Sequence, residues 1–170
     1  RSLQTVLSYP GHGATGASVI DSCVVQERRS GRLIVLIDHF PGGIGQPNAA
    51  AGIGVDAKGR YLLHDGAGNQ YIWNEDGSVT DAAGEKTLYH VSKRGDVTIN
   101  DGGEEKPGGN VFLADGEDPH QSLLTARTCF LQMIYSDDDG ATWSAPINLN
   151  QDVKEEWMSF CGTSPGTGVQ

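Results

Sequence analysis

The chain has 170 residues, 24 of them glycine, with 37% apolar residues and a formal charge of -10 from 22 acidic against 12 basic side chains. That charge repels a phosphate backbone and an anionic bilayer surface, which argues against a nucleic-acid partner. No apolar run approaches the ~20 residues of a spanning helix, so no membrane insertion is expected, and the opening Arg1-Ser2-Leu3-Gln4 lacks the shape of a signal peptide.

Glycine-rich, moderately apolar sequence fits many short strands joined by turns better than it fits helices, so an all-β fold is expected. Ala17 to Gln26 and Gly31 to Phe40 are apolar, β-branched runs around the charged turn Glu27 to Ser30, and they read as a hairpin. Asp21 stands inside the first run, between Ile20 and Cys23. An acid there is a poor choice for packing, which leaves either a ligand contact or a cap on a neighbouring loop. Pro41 to Pro47 holds too many glycines and prolines to continue a strand and is a loop at the strand end.

From about residue 48 to 117 the texture becomes short polar hairpins, with turns at Lys58-Gly59, Asp65-Gly66, Asp76-Gly77, Gly84 and Arg94-Gly95. The strands expected between them are Tyr61 to His64, Gln70 to Asn74, Leu88 to Ser92 and Val97 to Asn100. Asn110 to Ala114 follows a Gly/Glu/Lys/Pro loop. Thr125 to Tyr135 then returns to a buried-strand pattern. Ser136-Asp137-Asp138-Asp139-Gly140-Ala141-Thr142-Trp143 has the form S-x-D-x-G-x-T-W and reads as the turn of a hairpin. In it Asp138 folds back onto backbone N–H groups, Gly140 supplies a positive φ, and Trp143 packs under the turn and starts the outgoing strand. Gln151 to Phe160 is the best helical candidate, one or two turns long, capped by Asn150 with Val153, Trp157 and Phe160 on one face. The tail from Cys161 to Gln170 ends as a strand begins.

Several conspicuous residues have plain readings. Cys23, Cys129 and Cys161 lack C-x-x-C spacing, so they suggest no zinc site and no complete disulfide framework. The three aspartates lack the ligand spacing and distal glutamate of a calcium loop, so no metal and no cofactor is expected. Arg94-Gly95-Asp96 is accounted for by a hairpin turn. His64, His90 and His120 are scattered, and His39 is expected at a pocket-side strand end.

Tyr135 to Pro146, followed by Glu156-Trp157-Met158-Ser159-Phe160-Cys161-Gly162-Thr163-Ser164-Pro165-Gly166-Thr167-Gly168-Val169, resembles the middle of a bacterial exo-α-sialidase catalytic domain. Val19 to Gln26, Gly31 to Ile34 and Asp38 to Pro41 are similar to the hairpin after that family's first Asp-box. The resemblance implies a six-bladed β-propeller with an inserted small β-domain. It divides the chain into early propeller strands over 1–47, an inserted β-rich lobe over 48–117, and propeller strands with an Asp-box hairpin over 118–170.

By that resemblance Ser136, Asp138, Gly140, Thr142 and Trp143 form a structural Asp-box, and Asp21, Ile44 and Gln46 border the sugar site. Ser164 to Gly168 is similar to a turn near the pocket rim. The family uses an arginine triad, an aspartate acid/base, and a tyrosine nucleophile assisted by a glutamate, the exception to the two-carboxylate rule. All of these are expected before Arg1 or after Gln170, so the chain carries no catalytic residue and is expected to be inactive alone. The resemblance further implies a secreted or surface-attached parent acting on sialylated glycans by retaining cleavage. Hydrolysis and intramolecular trans-sialylation are equally open, with a non-catalytic Asp-box propeller or glycan-binding module as the alternative. Sheet edges left unpaired predict self-association.

Overall fold

The computed structural model describes residues 3–118 and 120–168. Arg1-Ser2 and Val169-Gln170, at the two chain ends read above, lie outside the described residues. The strands are β1 (Ser18–Gln26), β2 (Leu33–Phe40), β3 (Leu62–His64), β4 (Gln70–Trp73), β5 (Ser78–Asp81), β6 (Lys86–Val91) and β7 (Asp96–Asp101). They continue with β8 (Glu104–Asn110), β9 (Ala114–Asp115), β10 (Gln121–Ser122), β11 (Phe130–Ser136), β12 (Ile147–Asn148) and β13 (Gly166–Thr167). A short helix, α1 (Asn150–Val153), precedes β13.

Two sheets dominate. The first has the order β12-β11-β2-β1-β13, and the second is an antiparallel meander running β3 through β8 in chain order. β2 is central in the first sheet, and its C-terminal half, Ile37 to Phe40, is buried. The second sheet is tied back at its root by an isolated bridge between His64 and Thr125. One apolar cluster serves both sheets: Leu63, Val79, Val91 and Val97 of the meander pack with Val111, Phe112, Leu124 and Phe130. The meander therefore shares its core with the first sheet, through Tyr61 set edge-on against Phe112 and Phe130.

The structure differs from the sequence reading at several elements. β8 runs through Glu105-Lys106-Pro107, a stretch expected to be loop, while 110–114 is not one strand. The reason is position: β8 is the sheet edge, where the N–H that Pro107 lacks is not needed by a further strand. β5, between the Asp76-Gly77 and Gly84 turns, went unrecognised because four residues give almost no periodicity. The outgoing strand after the acidic turn begins at Ile147 rather than at Trp143.

The expected helix over 151–160 is a single turn, and Asn150 is its first residue instead of its cap. The Asn150 side chain is fully buried; it accepts the Leu131 N–H at 2.9 Å and donates to the carbonyls of Ile53 at 2.8 Å and Cys129 at 3.0 Å. Holding three backbone groups fixes Asn150 inward, and the chain leaves the helix at Lys154. The face proposed for Val153, Trp157 and Phe160 never forms, and Trp157 is 72% exposed.

Candidate functional site

The register of β1 against β2 slips between Ile20 opposite Asp38 and Cys23 opposite Leu36, so Asp21 and Ser22 together face Ile37. This is a β-bulge, which bends a strand and re-aims side chains. At its centre Asp21 has φ +53°, a left-handed conformation that a residue with a Cβ adopts only when its surroundings enforce it. The enforcing group is Thr163, whose hydroxyl donates to the Asp21 carbonyl at 2.7 Å and whose N–H donates to Asp38 Oδ1 at 2.9 Å.

Asp38 is buried, 1% exposed, and its Oδ2 has no hydrogen-bond partner among the described residues. Burial raises its carboxyl above the usual range, against the Thr163 N–H, and the nearby charge of Asp21 adds to the rise. Gly162 is required beside it, because a Cβ there would overlap both the Asp38 carboxylate and the Phe160 ring. The pair Asp38 and Thr163 was missed in the sequence, although Asp38 stands in an apolar run just as Asp21 does.

Asp21 borders a hollow of about 670 Å³ walled by apolar residues, among them Val19, Ile20, Val24, Val35, Ile134 and Trp143. Ile20, which borders the hollow, is 45% exposed. A carboxylate on an apolar wall can accept hydrogen bonds from hydroxyl or amide groups and orient a polar ligand. Among the described residues no group of three or more His, Cys, Asp or Glu side chains is placed to hold a metal ion.

The three residues named for the sugar site do not share one depression. Ile44 lines a separate hollow of about 370 Å³ beside Asn48, Asp115 and Arg127, and Gln46 is exposed and lines neither hollow. His39, expected at a pocket-side strand end, is instead a core residue. It is 0% exposed, stacks on Tyr9 with ring centroids 3.8 Å apart, and contacts Phe112 and Phe130. Burial holds its imidazole down at about 3, so it is neutral near pH 7.

The acidic turn is built as a self-contained staple. Asp138 Oδ1 accepts the Thr142 N–H at 2.8 Å and the Ser136 hydroxyl at 2.7 Å, and Asp138 Oδ2 accepts the Thr142 hydroxyl at 2.6 Å. Those donors, the Thr142 hydroxyl first, hold its carboxyl down at about 2. Gly140 has φ +85°, its carbonyl accepts the Trp143 indole N–H at 3.1 Å, and Asp139 also takes a positive φ of +54°. Asp137 is bound on both carboxylate oxygens by Arg32, just before the neighbouring strand β2. Asp137 and Asp138 are thus occupied within the protein.

These features define an all-β chain with a twisted first sheet, a stapled acidic hairpin and a strained carboxylate beside an apolar hollow. No family model matches the chain. An anhydrosialidase from Macrobdella decora is 28% identical over 177 aligned residues, covering 91% of this chain and 23% of that protein. A sialidase from Bacteroides fragilis is 40% identical over 50 residues, 29% of this chain and 9% of that protein. The solved intramolecular trans-sialidase from Ruminococcus gnavus, in complex with oseltamivir carboxylate, superposes with a TM-score of 0.69 at 25% identity, over 92% of this chain and 37% of that one. The relatives it matches are sialidases, and its all-β fold is similar to a part of the propeller-type fold of solved sialidases. It spans less than a quarter of the length of the Macrobdella relative, 23%.

Proposed function

We propose that the parent protein is an exo-α-sialidase that removes terminal α-linked sialic acid from glycoconjugates with retention, and that this chain supplies part of its pocket wall and framework. The observation that carries the reading is the similarity to an anhydrosialidase across 91% of the chain. In this reading Ser136 to Trp143 is an Asp-box, and its internally committed aspartates do no chemistry. Asp21 accepts hydrogen bonds from the amide and hydroxyl side of the bound sugar, with Ile44 and Gln46 further along the rim. The arginine triad, acid/base, nucleophile and assisting glutamate come from chain outside these residues, and the parent is secreted or surface-attached.

The test is an assay of 3'-sialyllactose with the full-length parent and with the 170-residue chain, following products by proton NMR. Release of free sialic acid or its 2,7-anhydro form by the parent, with no turnover by the chain alone, is expected. Free α-anomer as the first product marks hydrolysis, and the anhydro sugar marks intramolecular transfer. A parent without turnover, or one lacking arginines and a tyrosine–glutamate pair in its flanks, would overturn the enzyme reading.

A further inference from the structure

The meander carries a hollow of its own, away from the β1 bulge. It has a volume of about 480 Å³, within the ~300–1,000 Å³ typical of small-ligand sites, and lies between the Lys58-Gly59 turn, β4, the Glu75–Gly77 turn and the end of β6. Tyr61 and Trp73, partly buried with ring centroids 5.4 Å apart, form its aromatic side. Exposed Lys58, His90 and Lys93 stand around it.

Which polar groups remain free decides what it could hold. Arg60 is consumed by Asp56, with its Nε bound at 2.8 Å, and by the Asn74 amide oxygen at 2.7 Å. The Asn74 amide nitrogen donates to Ser78, and Asp76 accepts the Ser78 N–H at 2.9 Å and hydroxyl at 2.6 Å. Ser92 is engaged with Asp96 at 2.9 Å. Among the described residues the side chains of Lys58, Lys93, His90 and the Trp73 indole N–H have no hydrogen-bond partner, and Glu75 is the one lining carboxylate left uncommitted. The hollow is thus an aromatic wall with surplus N–H donors, where the ammonium groups of Lys58 and Lys93 stand among the carboxylates of Glu75 and Asp76, on a chain whose overall charge is -10.

Aromatic faces suit the C–H faces of a sugar ring, and spare ammonium and N–H donors suit a carboxylate and hydroxyl oxygens. We infer that this hollow is a second carbohydrate site, specific for a sugar bearing a carboxylate, formed entirely within the meander and independent of the pocket to which Asp21 belongs. It would hold an acidic glycan while the parent works on another end. A sialic acid and a uronic acid share the recognising chemistry, and the test separates them.

The experiment is NMR titration of the isotopically labelled 170-residue chain with 3'-sialyllactose, a glucuronate-terminated disaccharide, lactose and sodium acetate. Expected are shifts of the Trp73 indole and of the amides over 58–61 and 90–93, with a Kd of about 1 mM or tighter for at least one acidic sugar, and roughly tenfold weaker binding of lactose and of acetate. Lys58→Gln with Lys93→Gln, both at exposed positions, is expected to weaken acidic-sugar binding about tenfold and leave the thermal midpoint in place. Trp73→Phe keeps an aromatic wall but removes the N–H donor, and is expected to weaken binding less. Equal binding of lactose, equal binding of acetate, absence of binding, or binding abolished by Asp21→Asn but untouched by the lysine pair would each overturn the inference. None of these outcomes bears on turnover by the parent, so the two readings fail separately.

Discussion

Asp21, Asp38 and Asp138 are three carboxylates on the first sheet and its turns, and their surroundings give them three different jobs. Asp138 is saturated by local donors, Asp38 is buried against the Thr163 N–H, and Asp21 is left facing an open apolar wall by a backbone that Thr163 holds in strain. Removing the hydroxyl in Thr163→Val is expected to cost about 1 kcal/mol in urea unfolding of this chain, and Thr163→Ser should restore most of it. In the parent the valine variant should also raise KM for sialyllactose, because the Asp21 carboxylate loses its fixed direction; an unchanged KM would detach Asp21 from the sugar.

His39 gives the residue-scale pH prediction. Its folded value is about 3 and its ordinary value is 6.5, so between those two the unfolded chain binds the additional proton and stability falls as pH falls. The loss approaches 1.4 kcal/mol for each pH unit, as an order-of-magnitude slope of about one proton. Asp138 acts in a lower window: its contribution is complete above about pH 4 and is lost as pH falls through about 2. His39→Phe, which keeps a ring against Tyr9, is expected to move the onset of acid unfolding in a circular-dichroism titration from near pH 6 to below about 4. An unmoved onset would assign the acid transition to other groups.

At the scale of elements, side-chain plugs set boundaries that local propensity did not. Asn150 ends the first sheet's last hairpin by holding three backbone groups from β11 and the loop at Ile53, which stops α1 from becoming the amphipathic helix its sequence suggests. Asn150→Ala takes this partner from the Leu131 N–H and the Ile53 carbonyl, while the Cys129 carbonyl keeps Lys154 Nζ at 3.3 Å, and it is expected to destabilise the chain by about 2 kcal/mol in denaturant unfolding. Asn150→Asp should recover little, because it supplies no N–H donor. The β1–β2 hairpin and the strands β3, β4, β6 and β7 were legible because alternation and glycine turns act locally. β5 and β8 were not, since four residues carry little pattern and a proline is tolerated only where the sheet happens to end.

At the scale of the molecule, the first sheet ends at the two-residue strands β12 and β13 and leaves Val19, Ile20 and Val24 of β1 partly exposed. Unpaired edges and exposed apolar side chains favour association. The chain alone is therefore expected to assemble in a concentration-dependent way in analytical ultracentrifugation, more strongly as salt screens its net charge. A strictly monomeric, sharply melting chain would count against it. The shared core predicts, in addition, that the meander and the first sheet melt together, because Phe130 and Leu63 belong to one cluster.

By itself the sequence determined the strand-rich class, the main hairpins, the stapled acidic turn and the likeness to sialidases, because turn chemistry and short-range alternation are written in neighbouring residues. Only the tertiary structure decided that Asp21 sits on a bulge pinned by a residue 142 positions away, that His39 belongs to the core, and that Ile44 and Asp21 line different hollows. Those outcomes depend on which distant strand lies alongside, and pairing between distant strands is fixed by packing of the whole chain rather than by any local preference.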